Sequence, residues 1–303
     1  MKPFVITSIL APTNLSEPSL PALRYVRLLA DRFSAKVTVM NTDPITNVAN
    51  FVGPTDRLGY LLTTPEYEDR LRGEIAQCAG PVMAGRAFDV DVTVGQAVPA
   101  ILTSAKKHNA DLIVMGTHQR RGWRRALLGS VSEGVLHGSG CPVLTVPDRD
   151  TATPHAITNI MCPVNFTEVA RESLHAAARL AEAFHARLTI VHVLEKDEVT
   201  DIEAHEREVR AWISPELQDR CSYRELVVHG GPAERLLDCA EDLAADFLVI
   251  GAQHTLFRDA TVLGTTTERL IRFASCPVLV IPRLAVPAES GANAKNELVG
   301  AMM

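Results

Sequence analysis

The sequence lacks the features that mark membrane and secreted proteins. No apolar run is long enough to cross a bilayer, and the amino terminus lacks the basic, apolar and small-residue pattern of a signal peptide. The six cysteines are scattered, with no C-x-x-C pair among them. These absences predict a cytoplasmic protein with no membrane partner and no disulfide or zinc framework.

The sequence also lacks the charge and the motifs of several functional classes. A net charge of −6 argues against general affinity for a nucleic-acid backbone. None of the ten histidines has the close spacing of a metal site, and there is neither a G-x-S-x-G elbow nor a Walker G-K-[ST]. We therefore expect no metal and assign no catalytic residue.

What the sequence has instead is an internal repeat. The segment 141–147, CPVLTVP, returns 135 positions later as CPVLVIP at 276–282. The same shift carries 111–116 onto 246–251 and Gly129-Ser130 onto Gly264-Thr265. A period of this length is the size of a domain, so the chain contains two copies of one fold.

The front of each copy repeats with a longer shift of 151 positions, from 9–17 to 160–168. The first copy therefore carries an insertion, which we place in a loop at 43–64, rich in Asn, Pro, Gly and Thr. The predicted domains are 1–150 and 155–283, followed by a disordered tail at 284–303.

Short β-branched runs alternate with helical stretches in both copies, the pattern of a parallel sheet covered by helices. Five strands per copy are predicted, at 8–11, 36–41, 90–94, 111–115 and 143–146, and at 159–162, 187–194, 225–229, 246–250 and 278–281. Ser16 and Thr167 are expected to cap the first helix of each copy. Further helices are predicted at 65–84, 100–109, 202–213 and 233–244, with the last of each copy beginning at Gly129-Ser130 and Gly264-Thr265.

Glycines mark the edge of the sheet where ligands bind in such folds. Gly116 ends the fourth strand, and Gly129-Ser130 opens the last helix, with four arginines between them at 120, 121, 124 and 125. A glycine before a helix lets backbone N–H groups approach an anion, and arginines favour phosphate. The same residues also fit a tight strand exit, a capped helix and a solvated basic loop, so both interpretations stay open.

Several motifs together resemble the universal stress protein family. They are 9–17, 114–118, 128–131 and 141–144 in the first copy, and 162–168, 188–193 and 276–280 in the second. The resemblance implies the tandem form: two Rossmann-like (HUP-type) α/β domains, each a five-stranded parallel sheet with helices on both faces. It also implies that the last strands, 143–146 and 278–281, pair within the chain as a pseudo-dimer, and that two chains form a homodimer.

Family members that bind ATP carry G-x-x-G-x(9)-G-[ST] after the fourth strand. In this sequence the middle glycine of the motif is replaced by Gln119 in the first copy and by His254 in the second. The family's aspartate after the first strand is Asn14 or Asn165, and an amide loses the carboxylate charge. By resemblance, the nucleotide-binding residues are Thr13, Asn14, Thr42, Gly116, Gln119, Gly129, Ser130 and Val131 in the first copy, and Val164, Asn165, Val193, Gly251, Gly264, Thr265 and Thr266 in the second.

The arginine-rich loop makes the first copy the better nucleotide candidate. The resemblance implies a stress-response regulator that binds an adenine nucleotide, ATP with or without Mg²⁺, and acts through a protein partner. The alternative is a nucleotide-free interaction scaffold whose ATP motifs have degenerated. A slow phosphohydrolase is a weaker third hypothesis, because Asn14 and Asn165 replace the obvious base.

Overall fold

The computed structural model describes residues 4–16, 19–43, 65–117, 128–147, 156–195, 201–218, 220–255 and 260–282, which contain eleven strands and nine helices. The two copies follow one another as two α/β units. Gln119, the arginine loop, most of the inserted loop and the tail lie outside the described residues. The first copy comprises β1 (Ser8–Pro12), α1 (Leu20–Phe33), β2 (Lys36–Asp43), α2 (Pro65–Met83), β3 (Asp89–Val94), α3 (Ala97–Lys107), β4 (Leu112–Thr117), α4 (Ser130–Gly138) and β5 (Val143–Pro147).

The second copy repeats this order with two short additions, α7 (Pro215–Gln218) and β10 (Ala260–Val262). Neither addition was predicted, and β10 pairs antiparallel with the end of β9 (Phe247–Thr255). The elements are β6 (Asn159–Val164), α5 (Glu168–Phe184), β7 (Arg187–Leu194), α6 (Ile202–Trp212), α7 (Pro215–Gln218), β8 (Tyr223–His229), α8 (Pro232–Asp242), β9 (Phe247–Thr255), β10 (Ala260–Val262), α9 (Thr265–Phe273) and β11 (Val278–Pro282).

The ten predicted strands join into one continuous sheet with the order β3-β2-β1-β4-β5-β11-β9-β6-β7-β8. Among these ten strands, neighbours are parallel within each copy, as predicted, and β5 meets β11 antiparallel, with Leu279 opposite Leu144. The predicted pairing of the last strands is therefore confirmed. Each half shows the doubly wound order, in which the chain reverses direction across the sheet beside β1 and beside β6.

Helices cover both faces of this sheet because strand side chains alternate between faces. In β1, Ile9 and Ala11 join a core beneath α1, α2, α5 and α6, whereas Leu10 joins the core beneath α3, α4, α8 and α9. Both cores contain residues of both copies. The two copies therefore share their hydrophobic interior.

Aromatic side chains close the junction between the copies. The rings of Tyr25 and Phe247 meet edge to face with their centroids 5.5 Å apart, and Phe33 and Phe184 do so at 6.1 Å. The guanidinium of Arg32 also donates to the carbonyl of Ala183. Burial raises the pKa of Tyr25, which keeps its hydroxyl neutral.

The predicted cap of the first helix is wrong in one copy and correct in the other. Thr167 is the N-cap of α5, and its hydroxyl oxygen accepts from the backbone N–H of Ala170. In the first copy α1 begins later, after Ser19, while Ser16 Oγ donates to the side chain of Asn14. A local Asx turn therefore takes the serine that sequence spacing assigned to the helix.

Two further properties concern the whole described part of the chain. All six cysteines are free, and Cys162, Cys239 and Cys276 are buried. Among the described residues, none of the helices combines the length and apolarity that a bilayer span needs.

Candidate nucleotide site

A cavity of about 420 Å³ opens in the second copy, beyond the carboxyl ends of the strands. It lies between β6 and β9, where the strand order reverses and ligands bind in folds of this class. All seven residues predicted for this copy line it. The lining consists of Pro163, Val164, Asn165, Thr167, Val169, Ala170, Val191, Val193, Glu195, Pro232, Leu236, Ile250, Gly251, Gly264, Thr265, Thr266 and Thr267.

The two glycines of this cavity have different structural roles. A Cβ on Gly251 would overlap Val169 Cγ1 and lie 2.9 Å from the carbonyl oxygen of Val169, so the first turn of α5 requires a glycine there. Gly264 has open space around its Cβ position and is the N-cap of α9. Helix packing thus explains Gly251, whereas no packing contact explains Gly264.

Asn165 is held in a tight turn at the end of β6. Its Oδ1 accepts a hydrogen bond from the hydroxyl of Thr167 at 2.7 Å. The oxygen of the same hydroxyl accepts a hydrogen bond from the backbone N–H of Ala170. Phe166, between them, has a φ of 59°. The carboxamide therefore presents N–H donors to the cavity, where the family's aspartate would present a carboxylate.

The end of β7 forms another wall. Val193 and Glu195 line the cavity, while the imidazole Nδ1 of His192 lies 2.9 Å from the carbonyl oxygen of Val164. The His192 ring contacts Phe166, with centroids 4.6 Å apart, and stacks parallel to His205 at 6.4 Å. These ring contacts stabilise the wall that the end of β7 forms.

The first copy repeats this arrangement with different polar side chains. Asn14 Oδ1 accepts from the N–H and hydroxyl of Ser16, and Leu15 has a φ of 62°. Thr13 is buried, and its hydroxyl bonds to Ser19 Oγ at 2.8 Å. Asn41 Nδ2 donates to the carbonyl of Thr13, as His192 contacts that of Val164.

The end of β2 in the first copy is fixed by two contacts. Thr42 and Thr93 join through their hydroxyls at 3.0 Å. The hydroxyl of Tyr67 donates to the carboxylate of Asp43. Burial, and then this hydrogen bond, raise the pKa of Tyr67 to about 12, so the phenol remains a donor.

The glycine steps of the two copies match closely. Gly129, the N-cap of α4, has φ −62° and ψ 139°, against −66° and 155° at Gly264. Ser132 Oγ donates to the carbonyl of Gly116, and Thr267 Oγ1 donates to that of Gly251. Ser130 and Val131 open α4, so both copies bring their helix start against the end of the fourth strand, as predicted.

Sequence reasoning missed ten of the seventeen residues that line the cavity, among them Glu195, Pro232 and Leu236. Glu195 immediately follows a strand, and Pro232 and Leu236 belong to the helix after β8. The rule that ligands lie beyond the carboxyl ends of strands would have indicated Glu195. Nothing in the family motif pointed to the α8 side chains.

A second cavity, of about 320 Å³, lies beside β3 and α3 in the first copy. The buried carboxylate of Asp91 accepts from Ser104 Oγ at 2.6 Å and from Lys107 Nζ at 2.9 Å, and contacts His108 Nε2 at 3.0 Å. Burial opposes ionisation, but these three hydrogen bonds hold the pKa of Asp91 below its ordinary value. Over the described residues, no group of three His, Cys, Asp or Glu side chains has the geometry to hold a metal ion.

Comparison with known proteins gives a consistent family match. The model of the universal stress protein family matches residues 6–147 and 156–282. The universal stress protein MJ0531 of Methanocaldococcus jannaschii is 34% identical over 142 residues, which cover 46% of this chain and 80% of that protein.

A solved structure that matches most of the chain shows the same fold. The crystal structure of a universal stress protein from Archaeoglobus fulgidus has a TM-score of 0.69 at 24% identity, over 91% of this chain and 98% of that one. A universal stress protein solved in complex with cAMP has 23% identity and a TM-score of 0.35, covering 48% of this chain and 99% of its own.

Proposed function

Since the chain belongs to the universal stress protein family, we propose that it is a stress-response regulator that binds an adenine nucleotide. Occupancy of the nucleotide site controls a surface that a protein partner recognises. The observation that carries this proposal is the cavity of the second copy. Seven residues chosen from the sequence line it, at the sheet edge where ligands bind in doubly wound folds.

The chemistry of the cavity suits the parts of a nucleotide. Val164, Val193 and Leu236 give apolar walls for a base. The first turn of α9, with Gly264 as its N-cap and Thr265 beside it, offers backbone N–H groups and hydroxyls to an anion. In this arrangement the sugar lies between the two ends, near Asn165.

The first copy has the same scaffold for a more strongly charged ligand. Gly129 and Ser130 open α4 as Gly264 and Thr265 open α9. In sequence, four arginines lie between Gly116 and Gly129 and supply positive charge for phosphates. We assign ATP, with or without Mg²⁺, to this copy.

A nucleotide-free scaffold is the second candidate function, and two contacts favour it. Gly251 is required by its approach to Val169 whether or not a ligand binds. The Asn165 side chain is already engaged by Thr167. Both features would persist in a protein that had lost nucleotide binding and kept the tandem fold.

The deciding experiment is calorimetric titration of nucleotide-stripped protein with Mg-ATP. It compares the wild type with Gly129→Asp, Gly264→Asp and the double variant, each of which places a carboxylate at a helix start. Gly140→Asp is the matched control, because its Cβ position is open like that of Gly264 and it lies at the opposite edge of the sheet, before β5.

We expect micromolar binding by the wild type and the control, and loss of more than about tenfold in affinity in the Gly129→Asp variant. Binding retained in full by the double variant would place the ligand elsewhere. Failure of the folded wild type to bind any adenine nucleotide would support the scaffold function instead.

A further inference from the structure

We propose that the cavity of the second copy takes a nucleoside that bears at most one phosphate and discriminates against a triphosphate. This inference rests on the proposed function and adds a ligand class for one of the two sites. It follows from the charges of the residues that line the cavity.

Glu195 is the charged residue among the described lining residues, and it is a carboxylate. It follows β7 directly and is exposed at the cavity. The described lining includes no lysine, arginine or histidine. In a cleft with apolar walls, a negative charge repels an anionic ligand more strongly with each added phosphate.

The helix start at the other end of the cavity provides for one anionic group. The helix dipole amounts to roughly half an elementary charge at the N-terminus of α9. Thr267 Oγ1 is already bonded to the carbonyl of Gly251, so its hydroxyl proton is committed to the protein. Glu268, in the same first turn, forms an ion pair with Arg272, so its carboxylate offsets the positive charge of that arginine.

The polar side chains of Glu195 and Asn165 favour a sugar with free hydroxyl groups. A carboxylate accepts hydrogen bonds from hydroxyls and amino groups, so Glu195 suits a neutral donor as well as it opposes a phosphate. Asn165 adds N–H donors because its oxygen is held by Thr167. The two side chains therefore complement a nucleoside, which has both donors and acceptors.

The first copy has the opposite balance in sequence. Its connection between β4 and α4 contains four arginines and no acidic residue, whereas the connection between β9 and β10 contains one arginine and one aspartate. The counterpart of Glu195 at the 151-residue shift is the uncharged Pro44. The two sites of one chain are thus suited to ligands of different charge.

The test is calorimetric titration of the Gly129→Asp variant, in which the first site is blocked, with adenosine, AMP and ATP at low salt without Mg²⁺. The same titrations are repeated with Glu195→Gln added, and with Glu241→Gln as a control. Glu241 is an exposed glutamate of α8 that does not line the cavity. Circular dichroism verifies that each variant is folded.

We expect AMP or adenosine to bind at least about tenfold more tightly than ATP. Glu195→Gln should raise the affinity for ATP about three- to tenfold with little gain for adenosine, and Glu241→Gln should change neither. Equal or tighter binding of ATP to the Gly129→Asp variant would overturn the inference and leave the proposed function intact. If the wild type binds ATP but this variant binds none of the three ligands, the second cavity is not a nucleotide site. If the wild type binds none of them either, the proposed function fails as well.

Discussion

The two halves of this chain share a backbone and differ in the polar groups built on it. Leu15 and Phe166, at equivalent positions, have φ values of 62° and 59°, and Gly95 and Gly230 have 140° and 137°. By contrast, the buried Asp91 and its partner Ser104 correspond at the 135-residue shift to Leu226 and Cys239. The comparison shows that the fold fixes turns and apolar faces, while the polar groups of each half are free to diverge.

The junction between the halves offers the strongest test of whether they form one structure. Phe247 is 1% exposed and packs on Tyr25 of the other half, whereas its counterpart is Leu112. Phe247→Ala should lower the free energy of unfolding by about 3–5 kcal/mol in urea titration, because it empties a shared core. Phe247→Leu, which copies the first half, should cost much less. A loss below about 1 kcal/mol for the alanine variant would mean that the halves are packed independently.

Glycine substitutions separate the packing role of one site residue from the ligand role of another. Gly251→Ala should destabilise the protein by about 1–3 kcal/mol, because the new Cβ meets Val169. Gly264→Ala has open space and should cost only about 0.5–1 kcal/mol as a weaker N-cap. Thermal unfolding of the two variants side by side measures the difference. Equal destabilisation would contradict the assignment of Gly251 to packing.

The Asp91 network should give the first half a dependence on pH that the second half lacks. Since the pKa of folded Asp91 is lowered, its stabilisation is present above the unfolded value of about 3.9 and is lost as the pH falls through the folded value. Asp91→Asn should lower the free energy of unfolding by about 1–3 kcal/mol near pH 7. The gap in free energy of unfolding between the variant and the wild type should narrow in acid. Urea titrations at pH 7 and at successively lower pH measure this gap. A gap independent of pH would show that the carboxylate charge is not involved.

The smallest expected difference concerns the turns after the first strand of each half. Thr167 caps α5, so Thr167→Ala should lower the free energy of unfolding by about 1 kcal/mol. Ser16 does not cap α1, so Ser16→Ala should change stability by no more than about 0.5 kcal/mol. Thermal melting of the two variants measures the two losses of stability. Similar losses in both would restore the symmetrical capping that sequence spacing suggested.

Sequence predicted the fold well because its signals were repeated and local. The alternation of apolar residues and the two matching sets of motifs located ten strands, and the antiparallel contact of β5 with β11 followed from the family resemblance. The predicted cap at Ser16 is wrong because an Asx turn with Asn14 competes for the same hydroxyl. Turn chemistry of this kind depends on a side-chain rotamer, which spacing alone does not specify.

The candidate site was predicted less completely, for a physical reason. Motif residues such as Asn165 and Gly264 come from strand ends and helix starts, which sequence identifies. Glu195 directly follows β7, so its place at a strand end was open to prediction, but the family motif does not include it. Leu236 reaches the cavity through tertiary packing of α8, which no local pattern records.

The measurement that tests the account most directly is native mass spectrometry of the stripped protein in an equimolar mixture of ATP and AMP. Mass identifies each bound nucleotide and counts how many a single chain holds. The account predicts a doubly occupied chain that carries one ATP and one AMP, and Gly129→Asp should remove the ATP alone. Chains that carry two molecules of the same nucleotide, or none at all, would contradict the claim that one fold holds two unlike nucleotide sites.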